Sequence, residues 1–322
     1  MATLVPQHWH WRTPGWLQVG TMITTMIVFI GLYLFLVIGS AVGIYHYQAR
    51  TPITRFTERI FPYPAAVVQG TVIPLERVRL QSEALVTYTL HHGQPANRAN
   101  MQTVVLKQII AHLLYRNDLQ ARGITVSQTA IDRQLATIAA SAGGPEKLNQ
   151  YLLTEYGPSM DINQFGDWVV RDSLAEAAVQ YQLLTRVTLR HILIAVPANA
   201  SSTVSDAAMA KVAAIRQQIK ASDQFAPLAN QYSEDVASKG KGGLIGTTGR
   251  GTDLSQFSPE FERAAFSLSP GSISEPLRTT YGWELLQVDQ RQGSVDMSLT
   301  DYTAMLYASA NVHRYLRDAN MH

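Results

Sequence analysis

The longest unbroken signal along the chain is apolar. From Thr13 to Ala49 there is no Asp, Glu, Lys or Arg, and the centre reads MITTMIVFIGLYLFLVIGSAVGIYHY. About 20 apolar residues suffice to cross a bilayer as a helix, and core helices seldom stay apolar on every face over so many turns. Trp9, Trp11 and Trp16 precede the run and Tyr45 and Tyr47 follow it, as interfacial aromatics do. A cleaved signal peptide has a shorter apolar core and a small-x-small site. Residues 17–45 are therefore expected to form an uncleaved transmembrane anchor behind a short N-terminal segment, 1–16. Only Arg12 lies before the run, whereas Arg50, Arg55 and Arg59 follow it; that count alone would keep the C-terminal part in the cytoplasm.

After the anchor the period changes. The Pro-containing stretch 46–64 reads as a linker. AAVVQGTVIP then reads as a short extended pair turning at Gln69-Gly70 and passing into a helix after Pro74. Helical spacing governs Met101 to Arg122, through Val104, Val105, Gln108, Ile109, His112 and Leu113, and stops at Gly123. Ser127 is placed to cap a helix whose stripe is Ile131, Leu135 and Ile138. Asp161 with Gln164 forms a capping box before a longer helix carrying Trp168, Val169, Leu174, Ala178 and Tyr181. Residues 65–186 are thus expected to be an all-α domain. The tail, Leu299 to Met321, again has helical spacing, and a helix of about twenty residues is marginal in water without a surface for its stripe.

Between these helical parts, Val187 to Val288 carries strand-like runs at both ends, VTLRHILIAV and YGWELLQV. Leu189, His191, Leu193 and Ala195 share one face of the first, so a histidine stands in a largely apolar row. On the second, Glu284 alternates with Leu286 and Val288. Helices are expected at 205–220, 223–232 and 258–266 over an antiparallel sheet of about four strands, which makes the whole chain α+β with an N-terminal membrane helix.

Composition changes this picture mainly by exclusion. A length of 322 residues fits about two domains. The formal charge of +2, with Lys and Arg scattered, offers no electrostatic footprint for nucleic acid. With no cysteine, disulfides, thiol catalysis and cysteine metal sites are excluded. The histidines at 8, 10, 91, 92 and 112 lack metal-ligand spacing with acidic partners, and no Gly-Lys-Ser/Thr follows the glycines at 242, 243, 249 and 251, so neither a metal nor a cofactor is expected. Those glycines read as backbone turns at positive φ.

The segment 187–292 resembles the parvulin family of peptidyl-prolyl cis/trans isomerases. The resemblance rests on Arg190-His191-Ile192-Leu193, Tyr232-Ser233-Glu234-Asp235, the glycine pairs Gly242-Gly243 and Gly249-Arg250-Gly251, Pro259-Glu260-Phe261-Glu262, Phe266-Ser267-Leu268-Ser269-Pro270-Gly271 and Ile273-Ser274-Glu275-Pro276. It implies a polar network of histidine, cysteine or aspartate, and a second histidine. The first falls on His191, the second on Asp235 and the third on Glu284, a departure that exchanges an imidazole for a carboxylate. Two acids side by side would repel or raise each other's pKa. The resemblance places the proline-ring pocket at Ile245 and Phe261, with Leu254 or Phe257 of the insertion 252–257 replacing an aromatic that the small Gly246-Thr247-Thr248-Gly249 turn lacks. Residues 65–186 and the tail 293–322 are similar to the N-terminal helices and returning C-terminal helix of chaperone-isomerases of the SurA and PrsA type. Together these resemblances imply a membrane-anchored isomerase acting outside the cytoplasm on unfolded, proline-containing polypeptides; the competing expectation is a holdase whose isomerase unit only binds.

Overall fold

The computed structural model describes residues 15–45, 51–251 and 258–316. Helix α1 (Gly15–Tyr45) takes up the uncharged run. Its stretch Thr25–Tyr45 is long and apolar enough to cross a membrane, by length and composition. Phe29, Phe35 and Ile38 point into the open, whereas Ser40 and Ile44 near the C-terminal end are buried against the rest of the chain. The stretch read as a linker instead holds a helix, α2 (Pro52–Ile60). Thr51 caps it by accepting from Thr54 N–H at 3.2 Å, and Pro52 sits in the first turn, where its missing N–H costs nothing. Of the prolines that suggested a linker, Pro52 is a helix-start signal, whereas Pro62 lies beyond the helix and Pro64 begins β1.

The extended pair forms as β1 (Pro64–Val68) and β2 (Thr71–Pro74), an antiparallel hairpin with Gln69 and Gly70 both at positive φ, the conformation a two-residue hairpin turn requires. Then come α3 (Leu75–His91), α4 (Arg98–Ala121), α5 (Gln128–Ser141), α6 (Pro145–Tyr156), α7 (Ile162–Phe165) and α8 (Arg171–Ala178). The expected caps are present: Ser127 Oγ accepts from Ala130 N–H, and Asp161 and Gln164 exchange the two bonds of a capping box. α7 and α8 run on through π-helical turns at Gly166–Val170 and Val179–Leu183, so the capping box starts one long, irregular rod. Val78, Leu106, Ile110, Ala175 and Val179 from these helices pack into one core with Ala66 of β1.

The middle of the chain builds a second unit. β3 (Arg186–Ala195), α9 (Ser202–Gln218), α10 (Phe225–Tyr232), α11 (Val236–Lys239), β4 (Leu244–Gly249), α12 (Pro259–Ser267), β5 (Leu277–Arg278) and β6 (Gly282–Gln292) give a four-stranded sheet ordered β4-β3-β6-β5, antiparallel throughout. Because β3 is central, both its faces are covered. Ile192 and Ile194 pack with α9 and α10 through Val212, Ile215 and Phe225. Val187 and Leu189, on the other face, pack with Phe261 and Phe266 of α12 and with Leu286 and Val288 of β6. The Thr247-Thr248 stretch, read as a turn, belongs to β4 and pairs with β3.

The tail returns to the first unit. α13 (Leu299–Ser309) buries Tyr302 and Leu306 in the core with α4. The helix expected to run to Met321 stops at Ser309, and β7 (Val312–Arg314) follows, pairing with β1. A free strand edge offers unpaired backbone groups, and alternation over Val312 to Arg314 suits it. The helical part is therefore not purely α: it holds the three-stranded sheet β2-β1-β7.

Candidate active site

His191 is 4 % exposed in the middle of β3. Its position depends on a glycine turn. The His191 N–H donates to the Gly243 carbonyl at 2.9 Å, and a Cβ on Gly243 would fall 2.3 Å from the His191 carbonyl oxygen. Gly243 also has a φ of 75°, so geometry and space both require glycine there. Gly242 and Gly251 are likewise at positive φ, while Gly249 lies within β4.

In the β3/β6 register His191 faces Leu286 and Leu193 faces Glu284. Glu284 is thus the diagonal neighbour of His191 on the same face, within reach of a long side chain. It is 1 % exposed, and its Oε2 lies 2.8 Å from His191 Nδ1. Its other oxygen accepts from Thr279 Oγ1 at 2.6 Å. On the opposite side of the ring, His191 Nε2 lies 2.9 Å from Asp235 Oδ2 and 2.9 Å from Ser238 Oγ. Asp235 is held by its own capping role, accepting from the Ser238 N–H at 3.0 Å and the Ala237 N–H at 3.3 Å, and Ser238 Oγ donates to it as well. The turn is tied to β3 where the Glu234 N–H donates to the Leu193 carbonyl at 2.8 Å.

The imidazole therefore sits between two carboxylates, one per nitrogen. Burial by itself pulls the His191 pKa down, but the hydrogen bonds and charges of Glu284 and then Asp235 outweigh it and hold the pKa above the ordinary histidine value. Partial burial tends to raise Asp235, yet the bonds from Ser238 and His191 leave its pKa below the ordinary carboxylate value. Asp235 does not meet Glu284 directly, because the His191 ring stands between them.

Beside this network opens a cavity of about 360 Å³, lined by His191, Asp235, Ser238, Lys241 and Glu284 on the polar side and by Leu193, Ala237, Leu244, Ile245 and Tyr281. Of the residues expected at the ring pocket, Ile245 lines it. Phe261 does not appear in that lining. It is fully buried beside Ala265 and Leu286, with its ring edge-on to His191 at 6.3 Å between centroids, so it backs the histidine. The inward stripe of α12, Phe261 and Ala265 one turn apart, directs it into the sheet. Leu254 and Phe257 lie outside the described residues. Ser238, Thr279 and Tyr281 escaped the sequence reading. Ser238 carried a signal, three residues after a capping aspartate; Thr279 and Tyr281 carried none, since only the bend between β5 and β6 brings them in.

A four-stranded antiparallel sheet covered by helices, with a buried histidine network at a cavity, defines the class, and residues 191–290 match the Rotamase family, PPIC-type PPIASE domain. This segment is a parvulin-type domain. Among individual proteins, the chain is similar to Chaperone SurA of Nitrosococcus oceani, 41 % identical over 114 residues, which are 35 % of this chain and 25 % of that protein. Chaperone SurA of Shewanella frigidimarina is 41 % identical over 116 residues, with the same coverage. The chain thus spans about a quarter of the length of the curated relatives it matches. A crystal structure of the peptidylprolyl isomerase PrsA from Bacillus anthracis covers 63 % of this chain and 85 % of its own at 21 % identity, with a TM-score of 0.29, a value too low to support an argument.

Proposed function

We propose that the chain is a membrane-anchored peptidyl-prolyl cis/trans isomerase that assists the folding of exported polypeptides. The observation that carries the reading is the His191 network, a ring held at each nitrogen by a carboxyl group, at the wall of a cavity with an apolar side. An X-Pro bond turns slowly because the planar amide shares its nitrogen lone pair with the carbonyl, against a barrier of about 20 kcal/mol. Planarity places partial negative charge on the carbonyl oxygen and positive charge on nitrogen. A carbonyl held against the anionic side of this network loses part of that resonance stabilisation, whereas the twisted amide, with less charge on oxygen, does not. Ile245, Leu244 and Leu193 supply apolar contact for the proline ring and exclude water. The binding is then tighter for the twisted amide than for either planar form, and no covalent step is needed.

The test is a protease-coupled isomerisation assay on the full chain in detergent with a proline tetrapeptide. Turnover above a boiled control is expected. Its absence, with intact folding by circular dichroism, would remove the enzymatic reading in favour of client holding alone.

Two outcomes follow from the same reading. The segment 197–206 after β3 contains no Lys or Arg, so nothing there pairs with a phosphate dianion. Peptides with phosphorylated Ser-Pro or Thr-Pro should turn over no faster than their unmodified forms; a gain of about tenfold or more would contradict the absence of charged partners. Residues 51–322 are expected outside the cytoplasmic membrane, as for anchored foldases that meet exported clients. Protease added to intact spheroplasts should then digest them, and full protection would place them inside, as the arginine count alone suggests.

A further inference from the structure

α2 has its polarity reversed relative to an ordinary surface helix. Thr54, Thr57 and Glu58 are buried, while Ile53, Phe56 and Ile60 are 61 %, 62 % and 55 % exposed. The inward polar face is well satisfied: Glu58 pairs with Arg79 of α3, and Thr57 Oγ1 donates to the Thr54 carbonyl. The apolar stripe at positions i, i+3 and i+7 is left facing outward, the pattern of a helix whose surroundings are not water.

The course of the chain locates this stripe. α1 ends at Tyr45, α2 begins seven residues later, and Phe61 just beyond α2 packs edge-on against Tyr33 at 5.1 Å. α2 therefore runs back along α1, its nine residues covering about 14 Å at the helical rise. Tyr63 fixes the same stretch by donating to the Val37 carbonyl at 3.0 Å. Between the two helices lies an apolar groove of about 740 Å³, walled by Leu32, Phe35 and Leu36 of α1 and by Pro52, Ile53 and Phe56 of α2.

Length makes the occupant specific. α1 has 31 residues, about 46 Å, against a hydrocarbon core of about 30 Å. One face of its last turns, with Ser40 and Ile44, is buried on the soluble part, while Ile38 and Val42 stay exposed, so the stretch open on every side lies before it, from Met26 to Leu36. From Trp16 to Tyr33 is 17 residues, about 26 Å, which puts Tyr33 and Phe61 at the far margin of the core. We infer that α2 is an interfacial helix: its stripe of Ile53, Phe56 and Ile60, continuous with the open apolar face of α1, lies in the lipid headgroup and acyl boundary on the C-terminal side of the anchor. Because α2 runs alongside α1, Ile60, next to Phe61 and Tyr33, lies deepest and Ile53 nearest the soluble part. Together with the stalk formed by the end of α1, α2 holds the soluble part at a set attitude over the membrane in place of a free tether. The inference rests on reading α1 as a membrane span.

The chain has no cysteine, so single cysteines can be labelled without background. Phe29→Cys, 68 % exposed and one turn inside Tyr33 on α1, Ile53→Cys, Phe56→Cys, Ile60→Cys and Val236→Cys, the last 92 % exposed on α11, would each carry an environment-sensitive fluorophore in the full chain reconstituted into phosphatidylcholine/phosphatidylglycerol vesicles. A nitroxide quencher attached to the lipid at the headgroup level is expected to quench the three α2 labels at least about twofold more than the label at position 236, with the label at position 29 reached by a quencher set deeper on the acyl chain. If the label at position 29 is quenched and the α2 labels behave like that at position 236, the interfacial helix is wrong and the anchor stands. If the α2 labels are shielded from both lipid nitroxide and aqueous iodide, protein covers the stripe and the inference also fails. If the label at position 29 is quenched by neither lipid probe, the membrane-span reading itself falls.

Discussion

Glu284→Ala should abolish most isomerase turnover and cost about 3–5 kcal/mol of stability, because it takes one partner from the buried His191 ring and leaves Thr279 Oγ1 without its acceptor. The buried carboxylate is the residue by which this chain departs from the parvulin pattern. Glu284→Gln separates charge from shape. The amide can still accept near His191 and meet Thr279, so the stability loss should be smaller, but the charge that helps hold the proton on His191 is gone.

The pH dependence gives the sharper test. His191 has its pKa raised by folding, so the stability this pairing contributes is complete below the unfolded value near 6.5 and is lost as pH rises through the folded value. Asp235 has its pKa lowered, so its contribution is present above the unfolded value near 3.8 and is lost as pH falls through the folded one. Wild-type turnover and stability to urea should share a plateau between those limits, with an alkaline decline set by His191. In Glu284→Gln the decline should begin at lower pH. An alkaline limb that stays in place would mean that Glu284 does not hold the proton on His191, and the charged-network account of the site would fail.

Phe261→Ala and Ile245→Ala should part company. Phe261 is fully buried in the sheet core, and its truncation is expected to cost about 3–5 kcal/mol in urea melts, with loss of turnover following from the displaced histidine. Ile245 lines the cavity and is only partly buried. Its truncation should lower kcat/KM by about tenfold or more, the scale set by lost apolar contact in a substrate pocket, with a smaller change in urea midpoint. A Phe261→Ala protein as stable as wild type but slow would return that residue to the substrate pocket.

Much of the secondary structure was legible locally because its causes are local. The Asp161 and Gln164 capping box, the Ser127 cap, the Gln69-Gly70 hairpin turn and the alternation along β3 each need only a few neighbouring residues to form. Two errors have the same root. α2 was hidden because Thr51-Pro52 serves a linker and a helix start equally well, and β7 was hidden because three residues of alternation become a strand only when a free edge such as that of β1 is available.

For the site, sequence by itself determined the residue types: a histidine in an apolar row, an aspartate ready to cap a short helix, and a carboxylate where an imidazole was expected. Tertiary structure decided what those residues do to one another. The antiparallel register of β3 and β6 set Glu284 diagonal to His191, and the turn pressed in by Gly243 brought Asp235 to the other nitrogen. Two acids whose meeting was expected to raise each other's pKa are thereby kept apart, each on one nitrogen of the ring between them. Whether a charge is repelled or held depends on distance and burial across strands about ninety residues apart in the chain, and no periodicity within either strand carries that distance.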